Sequence, residues 1–335
     1  KEDVLEELDT FFRQVSAISG FTAATSKAMS DLLYAEASQT LIIFDWDDTL
    51  FPTTEILDRW GLSPDCGTWD EELPLTAEQE GLLSNWRLAL KEYLEQACAL
   101  SEMCLIITNS RRPWVSKCIE RFAPELQSLF ERPQNAPRVV YADERLKSTR
   151  TFRSQCMDLR PVKFRHNVLL RMTSEETVEE CTMAKYAAMK AEAKRFYSQY
   201  PGQSWKNILS IGDMRYERDA LQELSFKRVP QGRERLRTKT LVLPPGASLS
   251  EITLRLQFST IMLPAYVRYD GDFDINLQDT PDPLRTIAQG LEMPDLASLS
   301  FSRHAWGREA PPRTEDDKQE SLAHLAVCVH SALFG

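Results

Sequence analysis

The chain has 335 residues, of which 42% are hydrophobic and 27% charged, and its formal net charge is -10. This is the composition of an ordinary globular protein with enough apolar residues for a sizeable core. The excess of acidic residues argues against a surface that neutralises nucleic-acid phosphates, and no apolar run is long enough to cross a bilayer. We therefore expect neither a nucleic-acid partner nor a membrane span.

The cysteines and histidines limit the kind of metal site that the chain can build. The seven cysteines are odd in number and show no paired spacing, which favours a reducing compartment, and we expect the cytoplasm. The four histidines, at positions 166, 304, 324 and 330, form no local zinc motif. Metal chemistry would therefore depend on carboxylates. The sequence begins at Lys1 rather than methionine, as a fragment or processed form would, so an upstream targeting peptide would not be visible.

Helix and strand patterns alternate along the chain. An amphipathic helix is predicted where apolar residues recur at helical spacing from Val4 to Ile18. Short apolar runs predict buried strands, and amphipathic stretches between them predict helices. The strands are expected at 40–44, 103–107, 139–142, 208–211 and 240–243, and the helices at 77–98, from Pro113 onward, and at 183–200, 217–224 and 249–266. This alternation predicts an α/β fold with a parallel sheet, whose ligand site lies at the carboxyl ends of the strands.

The C-terminal part of the chain, from 268 to 335, does not continue the alternation of strands and helices. It opens with the acidic stretch Asp270–Asp274, which resembles a calcium loop only superficially. The sixth position is Ile275 rather than glycine and the twelfth is Pro281 rather than glutamate. We therefore expect a solvated acidic turn, then a loosely packed or disordered tail at 280–319 and a small helix at 321–334.

The first predicted strand ends in acidic residues. It runs into Asp45-Trp46-Asp47-Asp48-Thr49. Side chains at i and i+2 of an extended segment share a side, so Asp45 and Asp47 are expected to face one substrate while Trp46 packs away from it. A DxDxT run alone is weak evidence for a functional site, but its position directly after a buried strand makes that evidence stronger.

Other strand ends supply further polar groups. The second strand ends in Thr108-Asn109-Ser110, where a hydroxyl and backbone N–H groups could hold a phosphoryl oxygen. The fourth ends in Gly212-Asp213, with Glu217 about one helical turn later. Lys185 lies in the helix before this fourth strand. Taken singly, these residues have ordinary structural interpretations, but their joint order favours a phosphoryl-transfer site.

With these motifs in place, the chain resembles the haloacid dehalogenase (HAD) superfamily. The four matching motifs are Asp45 to Thr49, Thr108, Lys185, and Gly212-Asp213 with Glu217. The resemblance covers about 40 to 266 and implies a Rossmann-like sheet ordered 3-2-1-4-5. It divides the chain into an N-terminal helical extension (1–39), a HAD-like catalytic domain (40–267) and the C-terminal part (268–335).

The resemblance also implies an activity and the residues that perform it. Asp45 would be the nucleophile that forms an aspartyl-phosphate, and Asp47 the general acid and base. Thr108, Asn109 and Lys185 would bind the transferred phosphoryl group. Magnesium would be held by Asp45, the backbone carbonyl of Asp47 and Asp213, with Glu217 binding directly or through water. The expected function is a Mg²⁺-dependent phosphatase.

Several points stay open at this stage. Lys190 and Lys194 are alternatives to Lys185, and Arg111 and Arg112 are read as solvated residues at a helix start. The segments between the motifs are too short for a full cap domain, which favours an open site and a bulky substrate such as a phosphoprotein. The alternatives are a binding or scaffold protein without turnover, and a phosphatase or phosphotransferase acting on small metabolites. The sequence does not predict the oligomeric state.

Overall fold

The computed structural model describes residues 33–63, 65, 69, 74–148, 175–199, 206–228, 235–297 and 322–330. The chain divides into two units, Lys1–Tyr34 and Ala35–Gly335, and the features below belong to the second. The helix predicted at 4–18 lies outside the described residues, as does most of the tail after Ala297.

Six strands of the described chain form one parallel sheet in the order β3-β2-β1-β4-β5-β6. The strands are β1 Thr40–Phe44, β2 Met103–Thr108, β3 Arg138–Tyr141, β4 Asn207–Gly212, β5 Arg237–Val242 and β6 Phe273–Asn276. Strand β1 pairs in parallel with β2 on one side and with β4 on the other. The Rossmann-like α/β fold and its 3-2-1-4-5 order are confirmed, and a sixth strand extends the sheet beyond β5.

Helices connect the strands and cover the sheet. The α-helices described before residue 298 are α1 Ala77–Leu100, α2 Trp114–Phe122, α3 Gln127–Phe130, α4 Ala142–Ser148, α5 Glu175–Tyr197, α6 Arg215–Phe226, α7 Leu249–Arg268, α8 Pro283–Gly290 and α9 Pro294–Ala297. A one-turn π-helix, Glu55–Arg59, follows β1. The predicted capping box of α1 is present, since the Thr76 side chain accepts a hydrogen bond from the Gln79 backbone N–H.

The alternation of side chains along each strand divides the core between the two faces of the sheet. On β1, Ile42 and Phe44 join the cluster under α1 and α7, whereas Leu41 and Ile43 join the cluster under α5 and α6. All five residues of β1 are buried. A strand that is buried on both faces needs a continuous apolar run, which is why TLIIF was recognisable in the sequence.

The prediction of a solvated acidic turn followed by a loose tail is wrong for residues 273–297. Phe273 and Ile275 are buried and pair β6 with β5, and α8 packs its buried Leu284 and Ile287 into the same core. The alternation of apolar and polar residues over only four positions hid this strand. Asp274 lies on its exposed face.

The acidic residues of this segment have structural partners. Asp270 pairs with Arg237 at 2.6 Å, and Asp272 accepts a hydrogen bond from the Thr238 backbone N–H at 2.7 Å. Asp274 accepts hydrogen bonds from Arg218, Gln222 and Thr240. These contacts attach β6 to β5 and α6.

Two further features concern the remaining described segments. Residues 322–330 are helical, within the small helix predicted there, and bury Leu322, Leu325 and Val329 in the core. None of the helices in the described ranges combines the length and apolar character that a membrane crossing requires.

Candidate active site

The predicted site residues meet at the carboxyl ends of three neighbouring strands. Asp45 follows β1, Thr108 ends β2 and Asp213 follows β4. The Asp45 backbone N–H donates to the Ile211 carbonyl at 2.9 Å, which continues the β1–β4 ladder by one residue. Because β1 lies between β2 and β4, its end is the centre of this edge, as expected for a parallel sheet.

Lys185 is the lysine that reaches this edge. It lies in the middle of α5, is fully buried, and its Nζ donates to Asp45 Oδ1 at 2.5 Å and to the Ile107 carbonyl. The same Nζ lies 3.0 Å from Glu217 Oε1. Lys190 and Lys194, the alternatives that the sequence left open, are exposed. The helix begins at Glu175, earlier than the predicted 183, and this places Lys185 at mid-helix.

The site contains four buried carboxyl groups, and the ammonium of Lys185 contacts two of them, those of Asp45 and Glu217. Burial, together with the negative charge of neighbouring carboxylates, raises the pKa of Asp45 and raises that of Asp213 well above its usual value. Burial also raises the pKa of Asp48 to about 6 and that of Glu217 to about 8, although Lys185 opposes the shift at Glu217. Burial lowers the pKa of Lys185, but Asp45 and Glu217 together raise it above its usual value. The cluster therefore holds more acidic groups than its cation can balance.

Glu217 occupies a fixed position at the start of α6. Its Oε2 accepts a hydrogen bond from the Met214 backbone N–H at 3.2 Å, while its other oxygen faces Lys185. A Cβ on Gly212 would lie 2.6 Å from Glu217 Cγ. Glycine at 212 is thus required by the close approach of the Glu217 side chain to the end of β4.

Asp47 has a different set of partners from Asp45. Thr53 and Trp114 Nε1 donate to its Oδ1 at 2.7 and 2.8 Å, and Thr108 and Ser110 donate to its Oδ2 at 3.1 and 2.7 Å. Each oxygen thus accepts two hydrogen bonds from described side chains. Sequence reasoning missed three of these four donors. Ser110 was noted only as part of the strand end, Trp114 fell within the helix predicted from Pro113 onward without a role of its own, and Thr53 was not considered.

Asp48 occupies a position with left-handed backbone. Its φ is 52°, a conformation that glycine adopts freely and that aspartate and asparagine adopt more readily than other residues. Its carboxylate accepts hydrogen bonds from the Thr54 backbone N–H, at 2.9 Å, and from the Thr54 hydroxyl. Asp48 therefore forms this left-handed turn without a glycine.

The candidate phosphate-binding side chains differ in whether they already have hydrogen-bond partners. The Thr108 hydroxyl is fully buried, donates to Asp47 and accepts the Ser110 backbone N–H, so it is already engaged. Asn109 Nδ2 and Thr49 Oγ1 are buried and find no hydrogen-bond partner within the described part of the chain. Buried polar groups normally have partners, so these two atoms are the better candidates for contact with a bound oxyanion.

The two arginines that follow β2, Arg111 and Arg112, differ in their contacts. Arg112 pairs with Glu144 at 2.9 Å and lies 4.6 Å from the centre of the Tyr141 ring. Arg112 is thus held against β3 and α4. Arg111 is exposed, as a solvated residue at a helix start would be.

The predicted metal ligands do not form a cluster of side chains alone. Across the residues that the structure describes, no three His, Cys, Asp or Glu side chains are arranged to hold a metal ion. The Glu217 carboxylate already contacts Lys185 and the Met214 backbone N–H. The predicted contribution of Asp47 is its backbone carbonyl, so the hydrogen bonds to its side chain do not affect that prediction. The remaining donors are the carboxylates of Asp45 and Asp213 and the backbone carbonyl of Asp47. Such a set of hard oxygens among unbalanced buried carboxylates fits Mg²⁺, which is commonly bound by one or two carboxylates plus water.

The architecture defines an α/β protein with a Rossmann-like parallel sheet and a carboxylate-rich site at the end of its central strand. No protein-family model matches the sequence, and neither the curated proteins nor the solved structures compared with it give a significant match. The assignment of a function therefore depends on the site itself.

Proposed function

We propose that this protein is a Mg²⁺-dependent phosphatase of HAD type, in which Asp45 accepts the phosphoryl group. The observation that carries the proposal is the ion pair between Asp45 and Lys185, two buried side chains that meet at the end of the central strand. A nucleophilic carboxylate must be ionised and fixed in place, and Lys185 favours both.

The reaction divides into two displacements at phosphorus. An Asp45 oxygen forms a bond to phosphorus while the ester P–O bond breaks, and Asp47 gives a proton to the departing oxygen. Water then attacks the phosphorus of the aspartyl-phosphate, Asp47 takes its proton, and Asp45 and inorganic phosphate are released. The position of Asp47 two residues after Asp45 supports this role, and its four donors fix the orientation of its carboxylate.

Lys185, Asn109 and Thr49 are the proposed contacts of the transferred phosphoryl group. Lys185 supplies positive charge, while Asn109 and Thr49 supply buried polar atoms without partners among the described residues. Asp45, Asp213 and the Asp47 carbonyl would hold Mg²⁺, which when bound supplies positive charge to an otherwise acidic pocket. We assign Thr108 to the support of Asp47 rather than to direct phosphate contact.

The proposed substrate is bulky, such as a phosphoprotein. The segment between Asp47 and α1 is too short for an independent cap domain, since independent domains usually have about 50 residues or more. Its described residues instead form a turn and the short π-helix Glu55–Arg59 beside the strand end. A short flap of this kind supports access by a large substrate.

The first test is turnover of p-nitrophenyl phosphate by wild type and Asp45→Asn protein. The amide cannot act as the nucleophile, so activity should be lost while circular dichroism stays unchanged. Asp58→Asn, the same substitution at an exposed position of the π-helix, is the matched control and should retain activity. Turnover by a folded Asp45→Asn protein would refute the proposal.

The second test concerns the metal. Exhaustive chelation should abolish turnover, and Mg²⁺ should restore it better than Zn²⁺, because the proposed donors are all oxygen atoms. Activity that survives chelation, or that zinc alone restores, would contradict this part of the proposal.

A further inference from the structure

The donors to Asp47 are not chemically equivalent. Three of them are the hydroxyl groups of Thr53, Thr108 and Ser110, and the fourth is the indole N–H of Trp114. A hydroxyl can donate or accept a hydrogen bond, whereas an indole N–H can only donate. Trp114 is thus the one partner among these four that cannot adapt when Asp47 gains a proton.

This asymmetry distinguishes the two oxygens of Asp47. The hydroxyl oxygen of a protonated carboxyl is a weaker acceptor than its carbonyl oxygen, so the bond from Trp114 favours a proton on Oδ2 over a proton on Oδ1. Oδ2 has only hydroxyl partners in the described chain, those of Thr108 and Ser110, and either of them can reverse to accept from a protonated carboxyl. Oδ2 is also the oxygen that contacts the end of β2, through Thr108 and Ser110, the two residues that flank the proposed phosphoryl contact Asn109 in sequence.

Trp114 itself is held firmly in place. It is buried, its ring centre lies 5.5 Å from that of Trp69 and 6.0 Å from that of Phe51, and both contacts are edge-on. Its backbone N–H donates to the Arg111 carbonyl at 2.9 Å. A donor fixed by packing on several sides can orient the flexible carboxylate that it contacts.

We propose that Trp114 is a positioning residue that fixes Oδ1 of Asp47 as an acceptor and so assigns proton transfer to Oδ2. The inference rests on the proposed phosphatase function. In the first displacement the O–H bond at Oδ2 breaks as the departing ester oxygen gains the proton. In the second, Oδ2 takes a proton from the attacking water.

The kinetic test compares Trp114→Phe with Trp69→Phe. Both substitutions replace a buried indole by a benzyl ring in one aromatic cluster, but Trp69 Nε1 donates to the Ser63 carbonyl rather than to Asp47. The measured quantity is kcat/KM for p-nitrophenyl phosphate and for a phosphoserine peptide. Nitrophenolate departs without a proton, whereas the serine oxygen needs one.

The expected result is a change in the ratio of the two kcat/KM values. Trp114→Phe should lower the value for the phosphoserine peptide by about tenfold or more, a part of what general acid catalysis supplies, and that for p-nitrophenyl phosphate much less. Trp69→Phe should leave the ratio unchanged, since a loss of folded protein lowers both values alike. Equal losses for both substrates in Trp114→Phe, or a wild-type enzyme that cleaves no alkyl phosphate, would overturn the inference.

A spectroscopic measurement tests the contact without turnover. In ¹⁵N-labelled protein, the indole N–H signal that disappears in Trp114→Phe belongs to Trp114. This signal should shift in Asp47→Asn, because a neutral amide is a weaker acceptor than a carboxylate, and the Trp69 signal should not. An unshifted Trp114 signal would overturn the inference even if the enzyme is active. A shifted signal in a protein that hydrolyses no phosphate ester would instead refute the proposed function and the role drawn from it, while establishing the hydrogen bond.

Discussion

Replacing Lys185 by methionine should strongly destabilise the protein. The substitution keeps most of the aliphatic side chain but removes the ammonium that lies 2.5 Å from Asp45 and 3.0 Å from Glu217. Both carboxylates are buried, and the Ile107 carbonyl would also lose its donor. Breaking a buried ion pair by removing one partner typically costs about 3 to 5 kcal/mol. The free energy of unfolding of most domains is about 5 to 15 kcal/mol, so the variant should still fold but with little stability left.

The assay is equilibrium urea unfolding near neutral pH with a chelator present, so that metal binding does not contribute. Lys190→Met is the matched control, because Lys190 lies on the same helix and is exposed. Its loss should change the free energy of unfolding by no more than about 0.5 kcal/mol. If the two variants differ by less than about 1 kcal/mol, Lys185 does not balance the buried carboxylates and the reasoning fails.

Three further predictions address the neighbouring elements. Gly212→Ala should cost about 1 to 3 kcal/mol of unfolding free energy and impair turnover, because its Cβ would meet the fixed Glu217 side chain. Gly81→Ala, in α1 with open space around the new Cβ, should instead gain about 0.5 to 1 kcal/mol; equal effects would contradict the packing argument. Burial alone would raise the pKa of Asp274, but hydrogen bonds from α6 and β5 hold it below its usual value. The stability that the Asp274 carboxylate supplies is therefore present above about pH 4 and is lost as the pH falls further. In urea unfolding, the loss in free energy of unfolding caused by Asp274→Asn should thus become smaller in acid. A loss that does not change with pH would contradict this prediction. Asp47→Asn should lower kcat/KM by about a hundredfold or more for an alkyl phosphate and much less for p-nitrophenyl phosphate, and equal losses would remove its role as acid.

The sequence predicted the parts of the fold that depend on continuous apolar runs. Strands buried on both faces, such as β1 and β4, stand out from their surroundings, and their ends located Asp45 and Asp213. Strand β6 escaped prediction because its four residues alternate between buried apolar and exposed polar positions within an acidic stretch. An edge strand of this length carries too little periodicity to separate it from a turn.

The candidate site was predictable at the level of motifs and not at the level of hydrogen bonds. Lys185 was chosen over two nearby lysines by position, and only the packing of α5 shows that it is the buried one. The donors to Asp47 come from the flap, from the end of β2 and from α2, with Trp114 lying 67 positions away in sequence. Contacts between such distant segments depend on tertiary packing, which local patterns do not encode.

The most direct test of the central claim is to trap the phosphorylated enzyme. Protein mixed briefly with p-nitrophenyl phosphate and Mg²⁺ would be quenched in acid and treated with borohydride, which reduces an aspartyl-phosphate to homoserine. We predict that peptide mass spectrometry will find this conversion at residue 45 in wild-type protein and in Asp58→Asn, but not in Asp45→Asn. Conversion at another aspartate would contradict Asp45 as the nucleophile. So would an Asp47→Asn protein that turns over substrate but gives no trapped intermediate, because that substitution should slow the breakdown of the aspartyl-phosphate.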